Sequence, residues 1–229
     1  MDLNSGKRKL LLEDTPRYQG LRKALIKELR KKGIKDENVL QAMLDVPRHF
    51  FFDPEFAHLA YEDRAFPIDA HQTISQPYTV AFQSQLLQAK KSDRILEVGS
   101  GSMYQATILA AMGAYVFSIE RQRLLFDKTK DFVLRSSYPT SVLKFFYGDG
   151  FEGLPTYAPF DKIIITCGAP FVPPKLVEQL KPGGIMVVPV AEDKHHRMIR
   201  VIKQADGSIS EEQFSNFSFV PMLPGTQNH

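Results

Sequence analysis

Three short stretches of this 229-residue chain carry side chains that suit a nucleotide-like ligand. Glu97 comes just before Gly99-Ser100-Gly101, Glu120 ends the next apolar run, and Asp149-Gly150 follows the third. Glycines let the backbone turn tightly and approach a ligand closely. A carboxylate ending the second strand can accept hydrogen bonds from ribose hydroxyls, and Asp149 can accept one from an exocyclic amine such as that of adenine. The stretches together predict a site for an adenosine-type cofactor.

The residues around the glycines separate the possible cofactors. Nicotinamide-binding loops read Gly-x-Gly-x-x-Gly and face a pyrophosphate, but the sixth position here is Tyr104. A phosphate-gripping P-loop is absent, because no lysine follows the glycines. The carboxylate of Glu97 disfavours a diphosphate and favours a cation. S-adenosylmethionine carries a sulfonium and an ammonium but no phosphate, so the loop favours it over a nicotinamide cofactor.

The order of the elements indicates how these residues come together. From Arg94 onward, strand-like and helix-like segments alternate, which predicts a doubly wound α/β fold with a mostly parallel central sheet. Ligands bind beyond the carboxyl ends of the strands in such a sheet. The five predicted strands are "RILEV", "AYVFSIE", "VLKFFYGDG", "FDKIIITCGAP" and "IMVVPV". Two further strands, joined by a turn at Asp206-Gly207, predict an antiparallel C-terminal edge.

Before this alternation, the chain predicts helices and one long loop. Residues 1–15 are expected to form a flexible arm, and residues 16–229 a single domain. Residues 61–76 have neither helical nor strand periodicity, and long loops in compact domains are often functional. The domain divides into N-terminal helices with an active-site loop (16–92), a cofactor-binding core (93–190) and C-terminal strands (191–229).

Composition argues against several other classes of protein. The chain is 43% hydrophobic and 24% charged with a net charge of +3, which is ordinary for a soluble globular protein and gives little support to nucleic-acid binding. A single cysteine, Cys167, excludes an intramolecular disulfide. No apolar run approaches the roughly 20 residues of a membrane span. The polar N-terminus is unlike a signal peptide, so we expect a cytoplasmic protein. "EDKHHR" at 192–197 is interpreted as a solvated loop, and no metal site is predicted.

The most specific segment of the chain is "QTISQPYTVA" at 72–81, which lies at the end of the long loop. It resembles the active-site loop and following helix of the protein-L-isoaspartate O-methyltransferases, a family of class I methyltransferases. "LEVGSGSMYQA" is similar to that family's cofactor loop, "IE" at 119–120 to its ribose-binding acid, and "GDG" at 148–150 to its adenine contact. The resemblance runs from about Arg17 to Leu223 and also includes "APFDKIIITCGAP", "LVEQLKPGGIMVVPV" and "FSFVPML", the last being similar to the family's C-terminal strand.

This resemblance implies a Rossmann-like methyltransferase fold, S-adenosyl-L-methionine as cofactor and a defined substrate. The substrate is the free carboxylate of L-isoaspartyl residues in damaged proteins or peptides, whose methylation starts repair through a succinimide. Ser75 matches the family's active-site hydroxyl, in a loop formed by His71, Thr73, Ile74 and Gln76. The cofactor-binding residues implied are Glu97, Gly99, Ser100, Gly101, Met103, Glu120, Asp149 and Gly150. No nucleic-acid or membrane partner is expected, and we expect a monomer.

Four residues stand where the family usually has glycine: Asp69, His71, Met103 and Ala191. A methionine held at a positive φ angle costs about 1–2 kcal/mol. Met103 has three interpretations: it packs between helix and sheet, it crowds the methionine end of the cofactor, or it lines an altered substrate pocket. His71 is interpreted as a solvent-facing loop residue, with a proton donor near the substrate as the alternative.

Two other functions are compatible with these residues. A methyltransferase of another substrate class would keep the cofactor site and use the loop at 61–76 differently. A catalytically impaired homologue would bind the cofactor only, and the replaced glycines are its sole support. A nicotinamide oxidoreductase is disfavoured because the third glycine of its fingerprint is missing.

Overall fold

The computed structural model describes residues 13–135 and 141–228. The helices are α1 (Pro16–Lys31), α2 (Glu37–Asp45), α3 (Pro77–Leu87), α4 (Tyr104–Ala111), α5 (Arg123–Arg135) and α6 (Pro174–Glu178). The strands are β1 (Phe66–Pro67), β2 (Thr73–Ile74), β3 (Arg94–Val98), β4 (Tyr115–Glu120), β5 (Leu143–Tyr147), β6 (Phe160–Ile165), β7 (Leu180–Glu192), β8 (His195–Lys203) and β9 (Ile209–Phe217). Short 3-10 turns cover Arg48–Phe51, Ala57–Leu59 and Pro155–Tyr157.

Local signals account for the N-terminal helices. Thr15 caps α1, and Pro16 occupies its first turn, where a missing N–H costs nothing. Asp36 caps α2 by accepting hydrogen bonds from the N–H groups of Asn38 (2.9 Å) and Val39 (3.3 Å). Residues 1–12 of the expected arm lie outside the described residues. Among the helices that are described, none is both long and apolar enough to cross a bilayer.

The central sheet has the strand order β5-β4-β3-β6-β7-β8-β9. The strands from β5 to β7 are parallel, and β8 and β9 run antiparallel at the edge, which confirms the predicted doubly wound sheet. From β3 the chain adds β4 and β5 on one side and then crosses to add β6 and β7 on the other. The strand order therefore reverses between β3 and β6, and ligands bind at such a switch point.

Alternate residues of the central strands pack on opposite faces of the sheet. Along β6, Ile163 and Ile165 belong to the apolar cluster that contains Leu176 of α6. Ile164, between them, belongs to the cluster formed with α3 and α4, through residues such as Leu87 and Leu109. Because side chains alternate along a strand and both faces are covered, the buried strands have nearly continuous apolar sequences.

A third apolar cluster joins the N-terminal helices to α4. It includes Leu29 of α1, Met43 of α2 and Tyr104 of α4, all buried. The Phe51 ring lies 5.2 Å from the Tyr104 ring, centroid to centroid, in an edge-on arrangement. The N-terminal helices thus pack directly on the helix that follows the glycine loop.

The long loop contains a short ribbon that sequence periodicity did not predict. β1 and β2 pair antiparallel, with Phe66 opposite Ile74 and Pro67 opposite Thr73. Two residues per strand are too few to produce an alternating pattern, which is why the expectation of an irregular loop was wrong here.

The C-terminal end of the sheet also differs from the expectation that "FSFVPML" forms a strand. β9 ends at Phe217, and the chain then leaves the sheet edge and crosses to the loop after β6. Gly168 donates its N–H to Val220 O, and Met222 donates its N–H to Gly168 O, each at 2.7 Å. Pro221 lies between these two contacts and lacks an N–H, so it cannot continue a regular ladder.

Replacing Leu29 with alanine should lower the free energy of unfolding by about 2–5 kcal/mol, because its removal leaves a cavity at a fully buried position. Leu21→Ala is the matched control on the same helix. Leu21 is 37% exposed, so its replacement should change the free energy of unfolding by less than about 0.5 kcal/mol. Urea denaturation followed by circular dichroism measures both variants, and equal losses would contradict this placement of α1.

Candidate active site

A cavity lies at the switch point, between the carboxyl ends of β3 and β6. Its walls come from the glycine loop after β3, the end of β4, the segment after β6, the loop that contains β2, and the C-terminal segment after β9. The predicted site residues that line it are Thr73, Ile74, Ser75, Gly99, Ser100, Gly101, Glu120 and Gly150. Residues from four separate parts of the sequence therefore meet where the strand order predicts a ligand.

The glycine loop has a backbone that other residues would strain. Gly99 and Gly101 have φ angles of +98° and +48°. A Cβ atom on Gly99 would lie 2.7 Å from Thr166 Oγ1, which itself donates to the carbonyl of Gly99 at 2.7 Å. Glycine is needed at this position both for its positive φ angle and for the close approach of β6.

Glu120 holds the glycine loop at the end of β4. Its Oε2 accepts a hydrogen bond from the N–H of Gly101 at 2.9 Å, and its Oε1 accepts one from the N–H of Gln122 at 2.8 Å. The residue is 4% exposed, and burial raises the pKa of its carboxyl above the ordinary value. The predicted ribose acid therefore lies on the cavity wall, already oriented by backbone donors.

Glu97 lies beneath the glycine loop and is not one of the residues that line the cavity. Its Oε2 accepts a hydrogen bond from Ser118 Oγ, which lies 2.6 Å from Ser100 Oγ. Complete burial raises the pKa of the Glu97 carboxyl to about 8. The sequence prediction placed this carboxylate beside a cationic ligand. In the structure it supports the loop from below, and direct contact with a ligand stays a prediction.

Asp149 also lies outside the cavity lining, although its neighbour Gly150 is part of it. Asp149 Oδ1 accepts from the N–H of Phe151 at 2.9 Å, and Oδ2 accepts from the N–H of Gly225 at 2.6 Å. The acid predicted to contact adenine thus binds the C-terminal segment. Each carboxylate oxygen can accept a second hydrogen bond, so this prediction stays open.

Of the four residues that replace expected glycines, two have positive φ angles: His71 at +54° and Met103 at +69°. Asp69 and Ala191 lie outside the positive region, so a side chain there causes no backbone strain. Met103 is half-buried at the start of α4 and is not among the residues that line the cavity. Its position gives no support to crowding of the ligand, whereas its backbone angle is strained.

The loop with β1 and β2 folds over the glycine loop. Thr73 O lies 3.9 Å from the position of a Cβ on Gly101. At the tip of this ribbon, Asp69 forms an ion pair with Lys128 of α5, and His71 is exposed. The tip therefore faces solvent, which agrees with the interpretation of His71 as a solvent-facing residue.

A second cavity begins where the first ends. Thr73, Ser75 and Thr166 line both. Gln76 lines the second cavity only, together with the aromatic rings of Tyr78, Phe217 and Phe219. Ser75 thus lies where the cavity at the carboxyl ends of β3 and β6 meets a groove between the loop and the end of β9.

Sequence reasoning missed the contribution of the C-terminal segment and of Arg121. Val220, Pro221, Met222 and Leu223 line the first cavity. The Arg121 guanidinium donates to the carbonyl oxygens of Pro224 (3.3 Å) and Gly225 (3.1 Å), which ties the segment across the end of β4. The "FSFVPML" stretch was the available signal, but its interpretation as a strand placed it at the sheet edge.

Cys167 lines the first cavity, and burial raises the pKa of its thiol to about 12. A neutral thiol is a poor nucleophile, so Cys167 is not suited to nucleophilic catalysis at neutral pH. Within residues 13–135 and 141–228, no three His, Cys, Asp or Glu side chains form a group able to hold a metal ion.

Known proteins match this chain over most of its length. The family model described as protein-L-isoaspartate(D-aspartate) O-methyltransferase matches residues 20–227. A protein-L-isoaspartate O-methyltransferase of Christiangramia forsetii is 52% identical over 212 residues, which cover 93% of this chain and 98% of the relative. Its counterpart in Flavobacterium psychrophilum is 48% identical with the same coverage.

Solved structures agree with these matches. A protein-L-isoaspartate O-methyltransferase structure is similar with a TM-score of 0.78 and 28% identity, covering 87% of this chain and 65% of that one. A Plasmodium falciparum structure in complex with S-adenosyl-L-homocysteine has a TM-score of 0.74 at 24% identity, covering 88% of this chain and 98% of that one, which is a likeness of fold. Because the family model and the sequence relatives cover nearly the whole chain, this protein belongs to the protein-L-isoaspartate(D-aspartate) O-methyltransferase family.

Proposed function

We propose that this protein methylates the free carboxylate of L-isoaspartyl residues in damaged proteins and peptides, with S-adenosyl-L-methionine as cofactor. The ester formed then starts repair through a succinimide. The observation that carries the proposal is the position of Ser75, which lies between the cavity with the glycine loop and Glu120 and the open groove beside β9. Membership of the family supports the same reaction.

The residues of the first cavity fit an adenosyl cofactor without phosphates. Glu120 is an ionisable acceptor on the cavity wall, suited to ribose hydroxyls. The side chains of Ile119, Met222 and Leu223 supply apolar surface suited to a base. Arg121 also lines this cavity, but its guanidinium binds the C-terminal segment. We assign Gly99, Ser100, Gly101 and Gly150 to the same cofactor site, with Asp149 as an acceptor for the adenine amine.

The second cavity is the proposed path of the substrate peptide. It is open between the loop that contains Thr73–Gln76 and the end of β9, and Tyr78 and Phe217 supply flat apolar walls. An extended peptide laid along this groove would bring a side-chain carboxylate toward Ser75. Thr73, Ile74 and Gln76 shape the loop around that carboxylate.

The main task of the protein in this reaction is to position the substrate carboxylate and the methyl group of the cofactor. An aspartyl-type carboxyl group has a pKa of about 4, so it is already an ionised nucleophile at neutral pH. S-adenosyl-L-methionine, when bound, would supply a methyl group on a sulfonium. A carboxylate oxygen would attack the methyl carbon in line, so that a carbon–oxygen bond forms as the carbon–sulfur bond breaks and its electron pair stays on sulfur. No proton is transferred, and no general base is required. This agrees with a site whose one thiol, Cys167, is held neutral.

The proposed role of Ser75 is to orient the carboxylate by donating one hydrogen bond. Holding two reacting groups in line at about 3 Å can account for most of the acceleration of such a reaction. The loop with Thr73 and Ile74, which covers the glycine loop, would also exclude water from the reacting atoms.

A monomeric state stays a prediction. The partners of the protein are isoaspartyl-containing proteins and peptides. A cytoplasmic location stays a prediction from the sequence.

The test of this function compares two peptides that differ only in one linkage. The protein should transfer labelled methyl groups to an L-isoaspartyl peptide and not to the same peptide with normal aspartate. Labelled methanol released in mild base identifies the ester. Transfer to both peptides or to an unrelated acceptor would favour a methyltransferase of another substrate class. Binding of S-adenosyl-L-homocysteine without any transfer would favour a catalytically impaired homologue.

Ser75→Ala should lower kcat/KM for the isoaspartyl peptide by about 10- to 100-fold, because a hydrogen bond to a charged group contributes roughly 1.5–3 kcal/mol. The dissociation constant of S-adenosyl-L-homocysteine should stay within about 3-fold, since the hydroxyl is assigned to the substrate. Ser210→Ala, an exposed serine on β9, is the control for handling and folding. Unchanged turnover in Ser75→Ala would remove this residue from the proposed site.

Met103→Gly should raise the free energy of unfolding by about 1 kcal/mol, because glycine adopts a φ angle of +69° without strain. Its affinity for S-adenosyl-L-homocysteine, measured by calorimetry, should not change, since Met103 lies off the cavity wall. Ser92→Gly is the control, because Ser92 also has φ +69° and is not part of the cavity wall. Tighter binding in Met103→Gly alone would revive the crowding interpretation.

A further inference from the structure

Arg48 is a charged side chain buried beneath the proposed active site. It begins the 3-10 turn Arg48–Phe51 and is 1% exposed. Its Nε donates to the carbonyl of Ala60 at 2.9 Å, and its Nη2 donates to the carbonyl of Ser75 at 2.8 Å. One guanidinium therefore holds the backbone of the residue assigned to orient the substrate.

The same guanidinium contacts the cofactor side of the cavity. Its central carbon lies 4.7 Å from the centroid of the Tyr104 ring and 5.5 Å from that of Phe52. Tyr104 is the first residue of α4, directly after the glycine loop, and it lines the first cavity. Arg48 is thus in contact with both the Ser75 loop and the start of the helix that follows the cofactor glycines.

The hydrogen bonds of Arg48 go to backbone carbonyls and not to a carboxylate. None of the ion pairs between described residues includes Arg48, although Tyr104 and the Asp63 carboxylate both favour its charged form. Burial lowers the pKa of Arg48 to about 10, which still leaves it charged at neutral pH. An apolar side chain at this position would leave the carbonyls of Ala60 and Ser75 without these donors, so the guanidinium joins two segments of backbone.

A second contact holds the far side of the Ser75 loop. Asp63 Oδ1 accepts from the N–H of Tyr78 at 2.7 Å, and the Gln76 side chain donates to the carbonyl of Asp63 at 3.0 Å. The residues after Ser75 are therefore fixed by Asp63, while the Ser75 carbonyl is fixed by Arg48 alone among the described side chains.

We propose that Arg48 is a positioning residue that couples the Ser75 loop to the first turn of α4 and so sets the distance between substrate carboxylate and cofactor. Arginine suits this role because its planar fork donates in two directions while its face packs on an aromatic ring. Lysine has a single ammonium on a flexible stem and cannot do both. The inference rests on the proposed function, since positioning matters only if Ser75 meets the substrate.

The test compares Arg48→Lys with Leu29→Ala, which is destabilised through the same apolar cluster but leaves the Ser75 carbonyl contact in place. Arg48→Met is a second variant that removes the charge. All measurements are made at a temperature where urea denaturation curves show that each variant is at least about 99% folded in the absence of urea. Hydrogen exchange of the amides in residues 73–78 is measured with S-adenosyl-L-homocysteine bound, which needs no turnover.

Arg48→Lys should speed exchange in residues 73–78 by about 10-fold or more while α1 keeps its protection. It should lower kcat for the isoaspartyl peptide by about 100-fold, since a displacement near 1 Å has that effect, and leave the affinity for S-adenosyl-L-homocysteine nearly unchanged. Leu29→Ala should keep both kcat and loop protection. If Arg48→Lys keeps the loop protected, or if Leu29→Ala loses as much kcat, the proposal is wrong. If the unaltered protein does not methylate the peptide, the proposed function fails, and the exchange result alone decides whether Arg48 holds the loop.

Discussion

The proposed site depends on two loops that are separated in the sequence and must both be fixed at the walls of one cavity. A displacement at a sulfonium methyl requires nucleophile and methyl in line within a narrow range of distance, so the glycine loop after β3 and the Ser75 loop must keep a fixed relation. The sheet positions the glycine loop, because the reversal of strand order places β3 beside β6 and opens a cavity at their carboxyl ends. Glu120 then fixes the glycine loop through the Gly101 N–H. The interactions on this side are short, buried and backbone-directed.

The N-terminal helices help to position the Ser75 loop. Helices α1 and α2 line no part of the cavity at the switch point, yet they pack on α4 and bring the 3-10 turn at Arg48 beneath the Ser75 carbonyl. Their apolar cluster includes Ile74 and Tyr104, one from each side of the cavity. The C-terminal segment closes a third side, where Arg121 binds its carbonyl oxygens and Asp149 accepts from Gly225. The first and last parts of the chain thus complete a site whose floor is the sheet.

Features with local causes could be predicted from the sequence, and features with tertiary causes could not. The cap at Asp36, the glycine loop and the acid at Glu120 each follow from residue type and neighbours. The burial of Glu97 under the loop depends on Ser118 of the adjacent strand, and the ion pair of Asp69 depends on α5. The sequence marks Met103 as unusual, but only the structure shows that its φ angle is strained and that it lies off the cavity wall. The path of residues 218–223 was missed because nothing in an apolar, proline-containing stretch indicates which surface it crosses.

The central claim is that one carboxylate meets one cofactor beside Ser75. The most direct measurement is a crystal structure of the protein with S-adenosyl-L-homocysteine and an L-isoaspartyl peptide. The account predicts that the ribose hydroxyls of the adenosine donate hydrogen bonds to Glu120 and that the peptide lies in the groove beside β9. It also predicts the isoaspartyl carboxylate within about 2.6–3.2 Å of Ser75 Oγ, with one carboxylate oxygen directed at the sulfur. A peptide carboxylate bound away from Ser75, or a cofactor bound outside the cavity between β3 and β6, would contradict it.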